Sequence, residues 1–219
     1  MVEVEIVDGV HVVRMTDGEN RCNGPFVEAL AAAVAAVEDA AAPLVLIGEG
    51  KFFNNGLDLE WISAEPEAAD AMFDRLHDVL RRLLVFPAPT VAAINGHAFG
   101  AGAILAAAAD HRLMRSERGY LCFPEVDLGL TMSPGFDAVL RARFPRRVHL
   151  DALVTGRRYG ADDAVAAGLV DAAVPEADLL PIAIARAAAD AGKPPAHVRA
   201  LKEQVHAAEL AAFTLTPPS

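Results

Sequence analysis

The sequence predicts an α/β fold, and three observations carry that prediction. Residues 44–47 and Thr90–Ile94 are continuous apolar runs, the pattern of strands covered on both faces. Helical stretches separate and follow them, so β and α alternate along the chain. The turn Gly100-Ala101-Gly102 then leads into an apolar helix, a strand-to-helix junction of the kind at which α/β proteins bind ligands.

Taken in order, Val2–Val7 and Val10–Met15 flank Asp8-Gly9, which predicts a hairpin. Residues 25–41 are Ala-rich, with Leu30, Val34 and Val37 at helical spacing, Pro25 in the first turn and Pro43 as the stop. The strand over 44–47 ends in Gly48-Glu49-Gly50. The loop over 50–59 enters a further helix that Asp58 is suited to cap. A long helix over 66–86 stops at Pro87-Ala88-Pro89, and the strand Thr90–Ile94 follows. After Asn95-Gly96 and the glycine turn, an apolar helix is expected over 103–109. Strands over 112–115 and 120–123, a helix over 133–144 and Ala-rich helices over 161–167, 175–191 and 195–213 complete the chain. No fixed-period repeat or low-complexity linker interrupts it, although composition shifts toward Ala after Asp151.

Composition narrows the function classes. With 219 residues, 53% hydrophobic and 22% charged, the chain suits one compact domain. Thirty acidic residues against 19 Lys and Arg give a net charge of -11, opposite to the footprint that nucleic-acid binding requires. The longest apolar stretch, between His97 and Asp110, falls short of the roughly 18 to 20 residues that span a bilayer. Neither nucleic acid nor a membrane is therefore expected as a partner. The N-terminus is acidic and strand-like, unlike a signal or transit peptide. The last residues, Thr216-Pro217-Pro218-Ser219, are not a Ser-Lys-Leu peroxisomal address. The two cysteines, Cys22 and Cys122, form no CxxC and have no His at metal spacing. A cytoplasmic protein with no metal site is expected.

Two loops carry chemical interest. Gly96-His97-Ala98-Phe99-Gly100-Ala101-Gly102 exposes backbone N–H groups at a helix start, where the dipole stabilises negative charge. The loop over 50–59 likewise leaves a buried strand for a helix. Read alone, each glycine turn also serves close packing of strand on helix.

Four stretches together are more specific: Phe53-Asn54-Asn55-Gly56-Leu57-Asp58-Leu59, the run from Asn95 to Gly102, Pro124-Glu125-Val126-Asp127-Leu128-Gly129-Leu130, and Gly156 through Asp171. In this order and spacing the chain resembles the crotonase superfamily, the enoyl-CoA hydratases and isomerases, from Val4 to about Pro175. Lys51 to Leu59, Leu113-Met114-Arg115 and Gly119-Tyr120-Leu121 are most similar to the short plant-type Δ3,Δ2-enoyl-CoA isomerases. The resemblance implies a spiral of β-β-α units over 1–150. A helical C-terminal region over 151–219, within the same domain, would cover the pocket and serve assembly as a homotrimer or dimer of trimers.

The resemblance also implies the chemistry. The substrate would be an acyl-CoA thioester, with coenzyme A as part of the substrate and no other cofactor. The thioester oxygen would sit between the backbone N–H groups of Leu57, after Gly56, and Ala101, between Gly100 and Gly102. Such donors, each worth about 3 kcal/mol, stabilise the enolate formed when the α-proton leaves. The family places acid/base carboxylates at two positions, which here are Ile104 and Glu125. A hydratase needs both, whereas an isomerase needs one base to carry a proton from C2 to C4 of a dienolate with water kept out. Thr131-Met132-Ser133-Pro134 also stands where hydratases have a glycine-rich stretch. The expected activity is therefore isomerisation of 3-enoyl-CoA to 2-trans-enoyl-CoA, with Glu125 as the base and its pKa raised by burial.

Two alternatives stay open: hydration or another crotonase activity, for which Asp127 is the second acid to check, and acyl-CoA binding without turnover. Phe53, Asn55, Ile104 and Leu130 are candidates to line the acyl pocket. Arg21, Lys51 and Lys202 are candidates to meet the CoA phosphates. His97, Trp61, Cys22 and Cys122 read as packing or pocket wall, and Asp110 as support for the following strand. A dinucleotide-dependent dehydrogenase is disfavoured because the glycine turn lies mid-chain and no Tyr-xxx-Lys occurs. A serine hydrolase lacks its Gly-x-Ser-x-Gly elbow.

Overall fold

The computed structural model describes residues 1–214; the C-terminal stretch 216–219 read above lies outside them. Strands β1 (Val2–Val7) and β2 (Val10–Met15) form the expected hairpin, with Asp8 and Gly9 both at positive φ, 51° and 79°. Helix α1 (Gly24–Asp39) starts where the Asn23 side chain accepts a hydrogen bond from the Phe26 amide at 3.0 Å. There follow β3 (Leu44–Gly48), β4 (Phe52–Asn54), α2 (Leu59–Ala64), α3 (Pro66–Leu84), β5 (Thr90–Ile94), β6 (His97–Phe99) and α4 (Ala101–Ala108). Then come β7 (His111–Arg115), β8 (Leu121–Cys122), α5 (Glu125–Leu128), α6 (Pro134–Arg143), α7 (Arg146–Thr155) and α8 (Ala161–Ala167). The last elements are β9 (Ala172–Val174), α9 (Glu176–Ala189), α10 (Pro195–Val205) and α11 (Ala207–Ala212).

The strands divide between two sheets. One has the order β1-β2-β3-β5-β7-β9, parallel except for the β1–β2 hairpin; the other is the parallel trio β4-β6-β8. Successive segments β3-β4-α3, β5-β6-α4 and β7-β8-α5 each give one strand to the large sheet, one to the small sheet and then a helix. This is the spiral of β-β-α units. The apolar runs follow from burial on both faces: Val12, Val45 and Val91 pack under Leu179, Ala183 and Ala187 of α9, whereas Leu44, Leu46 and Ala92 join α1, α3 and α4 in the main core.

Several elements depart from the sequence expectation. Strands β4, β6 and β9 have three residues each, too few to show a period of two, and helices α5 and α7 were not anticipated. The helix expected over 195–213 breaks at His206, which turns out of helical geometry at φ -101° and ψ 21°. Asp110 is pinned as a strand support. Its Oδ2 accepts from the Thr90 amide at 2.9 Å, from Thr90 Oγ1 at 3.0 Å and from Lys202 Nζ at 2.6 Å. Among the described residues no helix is long and apolar enough to cross a membrane.

Candidate active site

The first loop of the site leaves β4 at Asn54. Gly56 has φ 83°, and a Cβ there would stand 2.8 Å from the Phe99 carbonyl oxygen and 3.7 Å from the Ala101 nitrogen. Only glycine lets the two loops approach this closely. The Gly56 amide donates to Asn54 Oδ1 at 2.8 Å. On the next residues, the Cys22 amide donates to the Gly56 carbonyl at 2.8 Å and the Asp58 amide to the Cys22 carbonyl at 3.1 Å. Because both flanking groups turn toward Cys22, the Leu57 N–H points the other way. Asp58 then caps α2, its Oδ1 accepting from the Trp61 amide at 3.1 Å.

The second loop leaves β6 at Phe99. Gly100, at φ 49°, starts α4 with no side-chain cap, so the first amides of that helix have no partner within it. The Gly100 amide is taken by the Cys122 carbonyl at 2.9 Å, which fixes the turn to β8. Among the described residues, neither the Leu57 nor the Ala101 amide donates to a backbone acceptor in a turn or loop, or to a side chain. Helix α4 is buried along its whole length, so its dipole acts on the Ala101 end through a low-dielectric interior.

Glu125 is the first residue of α5, set there by Pro124. Its Oε1 lies 3.2 Å from where a Cβ on Gly100 would be, and its Oε2 is buried without a hydrogen-bond partner among the described residues. Burial raises the carboxyl pKa above its ordinary value, partly opposed by a bond from the residue's own amide. Glu125, Gly56, Leu57, Gly100 and Ala101 border one cavity of about 790 Å³.

Asn55 and Leu130 also line this cavity. Phe53 and Ile104, expected in the pocket wall, do not: both are 0% exposed in the main core. Phe53 lies within β4 of the small sheet, and Ile104 lies in α4, every residue of which is buried. None of the three candidate cations for the CoA phosphates borders this cavity. Arg21 pairs with Glu19 at 2.7 Å, Lys51 lies over the Phe52 ring at 5.3 Å from its centroid, and Lys202 is held by Asp110 and the Ala88 carbonyl. Asp127 lies outside the cavity, its Oδ2 2.6 Å from where a Cβ on Gly156 would be. His97 packs among the rings of Phe52, Phe99 and Tyr120. No group of three or more metal-ligating side chains occurs among the described residues.

One wall of the cavity was not foreseen. Asp70, Phe73, Asp74 and His77 line it from α3. Their spacing of i, i+3, i+4 and i+7 is the signal that places them on one helix face, opposed to the core face of Met72, Leu76 and Val79. His77 Nε2 lies 2.8 Å from Ser133 Oγ, and its ring meets Phe136 and Phe213 edge-on at centroid distances of 4.9 and 5.7 Å. Burial lowers the His77 pKa, against a smaller opposing pull from Asp74.

The family model described as enoyl-CoA hydratase/isomerase matches residues 5–213. Enoyl-CoA delta isomerase 1, peroxisomal, of Arabidopsis thaliana is 33% identical over 179 residues, covering 79% of this chain and 75% of that protein. The carnitinyl-CoA dehydratase of Escherichia coli (strain K12) is 35% identical over 161 residues, 73% of this chain and 61% of that protein. Among solved structures, a Mycobacterium tuberculosis enoyl-CoA isomerase superposes with a TM-score of 0.89 at 28% identity, covering 97% of this chain and 93% of that one. A structure described as a probable enoyl-CoA hydratase from the same organism gives 0.90 at 27%, covering 97% and 91%. The chain has the crotonase-like fold and belongs to the enoyl-CoA hydratase/isomerase family.

Proposed function

We propose that this protein is an isomerase that moves the double bond of a 3-enoyl-CoA into conjugation with the thioester, giving 2-trans-enoyl-CoA. The thioester oxygen accepts hydrogen bonds from the Leu57 and Ala101 amides. Glu125 removes a proton from C2, the resulting dienolate is held through its oxygen, and the same carboxyl returns the proton at C4. Raised pKa and burial suit a carboxyl to exchanging protons in both directions.

The observation that carries this reading is the buried, unpartnered Glu125 carboxyl beside two undonated amides, with Ile104 in the core and Asp127 outside the cavity. Asp70 and Asp74 border the same cavity but are exposed to water. Hydration or dehydration is the second reading, favoured by those two acids and by the similarity to carnitinyl-CoA dehydratase. Incubation with 3-enoyl-CoA and, separately, with 2-enoyl-CoA distinguishes them. The isomerase generates the absorbance of the conjugated thioester from the first, whereas a hydratase removes it from the second. Assembly as a trimer or pair of trimers belongs to the same proposal, supported by exposed Leu150 and Val154 on α7 and Leu201 and Val205 on α10, and light scattering tests it.

A further inference from the structure

The double-bond shift uses Leu57, Ala101 and Glu125, and leaves the His77–Ser133 pair without a role. Both residues are half-buried and border the cavity, among Phe73, Phe136 and Phe213. The Ser133 hydroxyl is fixed in place because it also accepts from the Phe136 amide at 3.2 Å, capping α6. A neutral imidazole offers one donor and one acceptor, and a hydroxyl one donor and two acceptor positions. The His77–Ser133 and Phe136–Ser133 bonds use only part of that capacity. A plain hydrocarbon chain lying on this wall would strip water from the pair and return nothing for it, whereas an oxygen substituent would replace that water.

We propose that the cavity is built for acyl-CoA thioesters whose acyl chain carries a neutral oxygen group, a hydroxyl or keto oxygen, which hydrogen-bonds to His77 and Ser133. Asp70 and Asp74 on the same face of α3 repel a carboxylate there, and the rings of Phe136 and Phe213, edge-on to His77, make the wall around the polar point apolar. This inference rests on the reading of the cavity as an acyl-CoA site and not on which reaction follows.

Calorimetric binding of saturated acyl-CoAs tests it without turnover. The ligands are chains of four to ten carbons tipped with methyl, hydroxyl, carboxylate or ammonium, titrated into wild type, His77→Leu and His77→Gln. The expected result is a chain length at which the hydroxyl-tipped ligand binds at least about fivefold more tightly than its methyl counterpart. His77→Leu should abolish or reverse that preference while tightening the methyl-tipped chain, and His77→Gln should retain part of it. A preference that survives His77→Leu, or one for methyl, carboxylate or ammonium at every length, overturns the proposal. The hydroxyl preference without conversion of 3-enoyl-CoA would remove the isomerase reading alone, and conversion without the preference would remove this inference alone. Failure of every acyl-CoA to bind would remove both.

Discussion

A methyl group on Gly100 would stand 3.2 Å from Oε1 of Glu125, so the turn that presents the Ala101 amide and the carboxyl that would move protons share one contact. Gly100 also has φ 49°, where an L side chain is strained. Gly100→Ala should therefore cost about 1 to 3 kcal/mol of stability and displace either the amide or the carboxyl. Thermal unfolding would show the first effect. Steady-state kinetics should show kcat falling by about ten- to a hundredfold, since a displacement near 1 Å costs on this order.

The raised pKa of Glu125 has consequences for both rate and stability. As a base the carboxyl acts only when ionised, so kcat should rise with pH through a value above that of an ordinary carboxylate. The linkage runs the opposite way for folding: a carboxyl that holds its proton more tightly when folded stabilises the protein at low pH and forfeits that as pH rises through the folded pKa. Glu125→Gln should thus melt above wild type at pH 8, and the two curves should converge toward pH 4. A gap that widens on acidification would contradict the burial described for this group.

Lys202 gives a prediction that separates a structural role from a CoA contact. Its ammonium is partly buried against Asp110 at 2.6 Å, and burial lowers its pKa. Lys202→Met leaves Asp110 short of a cation and should destabilise the fold by about 3 kcal/mol in urea denaturation. KM for acyl-CoA should stay within twofold; a large rise in KM with unchanged stability would restore Lys202 as a CoA contact.

The main strands and helices were legible because burial on both faces leaves unbroken apolar runs and helices keep their period, as at 44–47 and along α3. The three-residue strands of the small sheet were hidden inside glycine loops, where too few residues alternate to register. The same limit applied to the site. Gly56 and Gly100 stood out because backbone approach demands glycine. Phe53 and Ile104 were misplaced because an apolar side chain in a pocket wall and one in the core look alike in sequence. The α3 wall escaped notice because Asp70 and Asp74 make that face look solvated. Lys202 looked free because its partner Asp110 lies 92 residues away.

The measurement closest to the heart of this account is the rate at which Glu125→Gln converts 3-enoyl-CoA, set beside its affinity for a saturated acyl-CoA. The carboxamide keeps the size of the side chain but cannot carry the proton, so kcat should fall by about 10²- to 10⁴-fold while Kd changes less than threefold. Conversion at the wild-type rate, or loss of binding in place of loss of turnover, would contradict a single-carboxyl proton shuttle at residue Glu125.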